Sequence, residues 1–165
     1  MRDKRFVAVH RGGSLDLERH RMLALWAADC AEHVLPLFSR CCPDDDRPRH
    51  AIETARAWAA GEIRVGEARS AALAAHAAAR ETTDPAACAA ARAAGQAVSV
   101  PHAADHSLGP AWYAVRAVQA SLEKAAAVEA VARERDWQRE HLPPPVRDLV
   151  LSALESPKFA GWNRA

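Results

Sequence analysis

Residues 65–98 read VGEARSAALAAHAAARETTDPAACAAARAAGQAV, and this stretch decides the fold class. Alanine is the strongest intrinsic helix former. Two alanine-rich runs flank Thr82, Thr83 and Asp84, and Asp84-Pro85 has the form of a helix start, with a capping acid followed by a proline that needs no amide partner. The reading is a helical hairpin, 65–81 and 85–98, whose small side chains let the two helices approach closely. Alanine buries little area, so larger residues elsewhere must supply most of the core.

The punctuation to either side is helical too. A first helix is expected over about 15 to 34 or 35, capped by Ser14 or Asp16, with Pro36 bending or stopping it. Leu23, Ala27, Cys30, Val34 and Leu37 share one of its faces, and Met22, Trp26, Asp29 and His33 form the neighbouring stripe. Asp44, Asp45 and Asp46 lead into Pro48 and a second helix over about 47–60, which Gly61 ends. After the hairpin, Pro101 breaks the chain, and Ser107-Leu108-Gly109-Pro110 marks a kink or a second break. Residues 111–141 are periodic throughout and read as one long helix or two. Pro143, Pro144 and Pro145 stop that pattern before a last helix over about 146–154. Only Phe6 to Val9 hints at extended structure, as a short strand or an arm. The expected architecture is all-α, a compact alanine-rich bundle of six to seven helices with short connections. It divides into an N-terminal arm (1–14), a single helical domain (15–154) and a C-terminal tail (155–165). Strands and helices do not alternate, which argues against a doubly wound sheet.

Composition narrows the function classes. The 165 residues hold 22 Lys and Arg against 21 Asp and Glu, and the signs interleave, as in Arg133, Glu134, Arg135 and Asp136. Such a balance lacks the basic stripe that phosphate binding needs, so nucleic acid is an unfavoured partner. Cys30, Cys41, Cys42 and Cys88 show no CxxC spacing, which points to reduced thiols rather than a zinc ribbon or disulfide framework. The charged start followed by the short Phe6–Val9 run does not form a signal peptide, and no segment approaches a membrane span. A cytoplasmic protein without membrane contact is the expectation.

Chemistry-bearing residues are few. His102, Asp105 and His106 form an H-x-x-D-H string; on a helix they would share a face. Asp29, Glu32 and His33 lie together on the first helix, and His76 interrupts an alanine run. These seven make a candidate polar pocket, for a metal or for acid–base work. The competing reading is a set of hydrogen bonds tying helices together, since neutral imidazole both donates and accepts. P-loop, dinucleotide-glycine, nucleophile-elbow and H-E-x-x-H motifs are absent, and no cofactor is implied. Trp26, Trp58 and Trp112 sit on apolar faces as core candidates. Trp137, Phe159 and Trp162 lie in more polar surroundings and are candidates for a partner surface. The tail carrying the last two docks on the bundle or pairs with a second subunit.

Three segments carry a family resemblance: LALWAADCAEHVLPLF at 23–38, PDDDRPR at 43–49 and AADHSLG at 103–109. Together they resemble a small all-helical bacterial family of immunity proteins, of the kind associated with polymorphic toxin systems. The likeness extends to Leu142-Pro143-Pro144 and to residues 147–154. It implies a cytoplasmic helical protein that binds and blocks a cognate toxin. The family carries no agreed catalytic residues, so none is transferred; the shared positions are Trp26, Asp29, Glu32, His33, Asp44 to Arg49, Asp105 and His106. The first expectation is therefore a toxin-neutralising binding protein. Its rivals are a metal-binding or enzymatic bundle using the His/Asp residues, and a homo-oligomeric module formed through the alanine hairpin or the tail.

Overall fold

Asp16 starts the bundle: its carboxylate accepts from the amide of Arg19 at 2.8 Å, satisfying an orphan donor of the first helical turn. The computed structural model describes residues 3–163. Its helices are α1 (Leu17–Cys41), α2 (Arg47–Ala60), α3 (Val65–Glu81), α4 (Pro85–Ala97), α5 (Leu108–Ala120), α6 (Lys124–Glu140), α7 (Pro144–Leu154) and the short α8 (Ala160–Asn163). No strand occurs among the described residues, where a lone parallel bridge joins Ala8 to Leu15. The all-helical reading holds. Among the described residues the helices number eight, because 111–141 divides in two and the tail adds α8.

One boundary moves by six residues, and the open choice over 111–141 falls to two helices. The first helix runs six residues beyond Leu35, to Cys41, with Pro36 inside it. An interior proline costs about 3 kcal/mol in isolation, but Pro36 lies on the exposed side while Val34, Leu35 and Phe38 are buried opposite it. Tertiary burial therefore carries the helix past its breaker. The long periodic stretch breaks at 121–123, where neither Gly nor Pro stands. There Ser121 Oγ donates to the carbonyl of Val118 at 2.9 Å and Glu123 adopts an extended backbone.

The hairpin forms as read. Asp84 accepts from the amide of Ala87 at 2.7 Å, and α4 follows with Pro85 in its first turn. α4 packs against α1, α2, α3 and α5, and nearly all its residues are buried. A helix apolar on every side belongs at the centre of a bundle. Bulk comes from Trp26, Phe38, Leu23, Ile52, Leu142 and Leu154 around it. α6 packs chiefly on α5, at the edge. The arm is two short 3-10 turns with Phe6 buried, and Arg5 reaches α7 by donating to Ser152 Oγ at 2.8 Å. The tail docks on the bundle, with Phe159 and Trp162 both buried.

Candidate functional site

Helical spacing puts Asp29, Glu32 and His33 on the outer side of α1, but they do not serve one pocket. Asp29 and Glu32 turn toward α2, where Arg56 clamps both. Its guanidinium donates to Asp29 at 2.7 Å and to the two oxygens of Glu32 at 2.9 and 2.8 Å. That guanidinium holds the Glu32 carboxyl below the usual carboxylate range, and the hydrogen bonds to Glu32, with Asp29 adding, raise the pKa of Arg56 in turn. His33 turns the opposite way, and its Nδ1 donates to Glu134 Oε2 of α6 at 2.6 Å.

Glu134 begins a buried polar chain. Its Oε1 accepts from Gln138 Nε2 at 2.7 Å, and the same nitrogen donates to the carbonyl of Ala111 at 3.1 Å. Gln138 Oε1 accepts from the Trp162 indole at 2.7 Å, while its backbone carbonyl accepts from the Trp26 indole at 3.0 Å. Gln138 is fully buried with every polar side-chain atom partnered. Such a network fixes geometry because leaving any member unpaired is costly.

On the surface above it, the indole of Trp137 stacks on both His33 and His141. Ring centroids are 3.9 and 4.2 Å apart and the planes lie within 13° and 25° of parallel. His141 is held in turn by donating through Nδ1 to the carbonyl of Trp137 at 2.8 Å. The expected partner-surface residues thus part company. Trp137 is half-buried in this stack, while Phe159 and Trp162 face the core. Arg135 donates to the carbonyl of Gly161 at 3.2 Å and Arg139 lies over the Trp162 ring, so α6 also holds the tail.

The remaining histidines stand elsewhere. His76 lies half-buried against Gly95 and Arg92 of α4; burial pushes its pKa down, and the charges of Arg92, Arg80 and His106 add to that. His106 Nδ1 donates to Gln96 Oε1 at 2.8 Å. Asp105 and His106 sit in a 3-10 turn (Ala104–Ser107), and His102 precedes it in a turn closed by its amide on the Ser99 carbonyl. The H-x-x-D-H string therefore does not form one α-helical face. His102 is exposed and borders a cavity of about 30 Å³ beneath the arm, together with His20. The seven residues expected in one pocket thus divide: Asp29, Glu32 and His33 lie on the outer side of α1, His76 and His106 near each other at Gly95 and Gln96 of α4, and His102 beside the arm. Among the described residues no three His, Cys, Asp or Glu side chains are grouped to hold a metal ion.

Sequence reasoning missed Arg56, Glu134, Gln138 and His141. The last three and Trp137 recur at 134, 137, 138 and 141, the i, i+3, i+4, i+7 signature of one helix face, and that pattern was available to read. His20 was missed as well: its Nε2 donates to the carbonyl of Val100 at 2.8 Å, and burial pushes its pKa down.

Beyond Glu32, α1 and α2 border an open groove of about 350 Å³, lined by Glu32, Leu35, Pro36, Ser39, Arg40 and Arg49. His141, Trp137 and His33 stack along one side, Glu32 precedes His33 in α1, and Glu32 lines the groove with Arg49. No helix among the described residues is long and apolar enough to cross a membrane.

Comparison with curated proteins and with solved structures returns no match. A family model described as "Imm-5 like putative immunity protein" matches residues 13–145. That span contains α1 to α6 and every residue of the face just described, and leaves α8 with Trp162 outside. The resemblance read from 23–38, 43–49 and 103–109 is borne out, and the chain belongs to the Imm-5 like immunity protein family.

Proposed function

We propose that the chain neutralises a cognate toxin by direct protein–protein contact, inside the bacterial cell that makes both. Family membership supports the immunity role. The observation that carries the contact surface is the Trp137 stack. A half-exposed tryptophan is held by His33 and His141 over a buried, fully bonded Glu134–Gln138 pair. Binding energy in protein interfaces concentrates in a few Trp, Tyr and Arg side chains whose geometry is set before the partner arrives. The Arg56 clamp on Asp29 and Glu32 extends this face with charges fixed in place.

Co-expression tests the proposal. Each toxin candidate encoded by a neighbouring gene is induced in a sensitive strain with and without this chain. Growth restored by the wild type and lost with Trp137→Ala, while the variant still accumulates as folded protein, is the expected outcome. Protection that survives Trp137→Ala and His33→Ala together would place the contact elsewhere; failure to protect against every candidate would overturn the proposal.

A further inference from the structure

The groove beside this face differs from it in one respect: among the described residues neither of its arginines stands in an ion pair. Arg47 is held by Asp45 and Glu81, and Arg56 by Asp29 and Glu32. Arg40, in the last turn of α1, and Arg49, in the first turn of α2, are exposed and take no part in these pairs. Among the described residues that line the groove Glu32 is the one carboxylate; Arg56 holds both its oxygens, and Arg49 acts on it only through its charge, without a hydrogen bond. Arg49 gains nothing from its helix either, because the positive end of the helix dipole disfavours a cation there. The rest of the lining is Leu35, which is buried, the exposed Pro36 and the half-buried Ser39, so its apolar part is Leu35 and Pro36. A guanidinium matches a carboxylate with two parallel hydrogen bonds, and the match strengthens where water is excluded.

We infer that this groove receives an acidic segment of the toxin. Carboxylate side chains pair with Arg40 and Arg49, and a neighbouring bulky apolar side chain covers Leu35 and Pro36. The inference rests on the toxin-binding reading and names the chemistry of the partner at one end of that surface. A protein segment fits better than nucleic acid: the chain carries a net charge of only +1, and two arginines beside Leu35 and Pro36 are not a phosphate-tracking stripe.

The test uses the whole chain, isotope-labelled, and two capped peptides, Glu-Phe-Glu-Glu and Lys-Phe-Lys-Lys, titrated to about 1 mM, where weak single-segment binding is visible. Expected are backbone amide shifts at residues 32–40 and 49 with the acidic peptide, their loss in Arg40→Glu/Arg49→Glu, and none with the basic one. An otherwise unchanged spectrum shows that the variant is folded. No shift with the acidic peptide, or equal shifts with the basic one, overturns the inference. So does an oligonucleotide or inorganic phosphate that moves the same amides more strongly. With a toxin found by the protection assay, the double reversal weakens Kd about tenfold or more. An unchanged Kd refutes the acidic segment and leaves the toxin-binding reading standing. A chain that protects against no toxin removes that reading, and the peptide titration still decides the groove.

Discussion

α4 and α6 are both rich in alanine, yet opposite means hold them in place. In α4 the buried residues are Ala86, Ala87, Ala89, Ala90, Ala91, Ala93, Ala94, Gly95 and Ala97, and proximity does the work. A Cβ added at Gly95 would meet the His76 ring at 2.6 Å, which measures how closely α3 and α4 approach. In α6 the buried set is Ala127, Val131, Glu134, Arg135 and Gln138, so three of five are polar. Alanine contacts set a distance and tolerate sliding; hydrogen bonds to a buried glutamine set a register. The groups that face solvent with fixed geometry, Trp137 and His141, stand on the second kind of helix. The central hairpin builds the core, and the edge helix carries the proposed recognition surface.

The largest expected effect comes from breaking the polar side of this contrast. Gln138→Leu is close in volume but leaves Glu134 Oε1 and the Trp162 indole without their partner and removes the second bond to the Ala111 carbonyl. At roughly 1–3 kcal/mol for each buried group left unpaired, the loss should be about 3 kcal/mol or more by denaturant unfolding. The Trp162 fluorescence should shift red as the tail loosens. A loss under about 1 kcal/mol would mean that packing, not the network, seats α6. Gly95→Ala probes the other side. Crowding against His76 costs roughly 1–3 kcal/mol, and the better helix propensity returns up to about 1. A net loss of about 1 kcal/mol should vanish in a His76→Ala background, a coupling that a double-mutant cycle reads directly.

Much of the contrast was legible in the sequence, and the reason is locality. Residues 47–60 and 65–81 emerge with the boundaries read, because Pro48, Gly61 and Asp84-Pro85 act within a turn of themselves. Pro36 misled because Val34, Leu35 and Phe38 hold α1 from the far side, a tertiary effect. The break at Ser121 to Glu123 carries no Gly or Pro to announce it. The candidate pocket failed for a related reason. Spacing shows which residues share a helix face, but packing decides what that face meets. Asp29 and His33 share a helix side, yet one finds Arg56 and the other finds Glu134, 101 residues away.

Smaller effects sharpen the same comparison. His20 and His76 both have pKa values pushed below the ordinary 6.5, chiefly by burial. Between the lowered folded value and 6.5 the unfolded chain binds more protons, so stability falls as pH drops below about 6.5. The carboxylates held low by arginines, Glu32 and Asp45, add to the loss only further into acid, as pH falls through their folded values. The melting temperature should therefore decline from pH 7.5 to 5.5, and less steeply in His76→Ala. A flat profile would show these imidazoles to be open to water. Smallest of all, Arg56→Ala should cost under about 1 kcal/mol of stability. Its partners Asp29 and Glu32 are 42% and 56% exposed, and solvent screens such pairs.

The most direct test is calorimetric titration of the purified chain with its toxin, wild type beside Trp137→Ala. A nanomolar Kd for the wild type, weakened about thirtyfold or more in the variant with its melting temperature preserved, is the result expected. An unchanged affinity in a folded Trp137→Ala would contradict the assignment of recognition to α1 and α6.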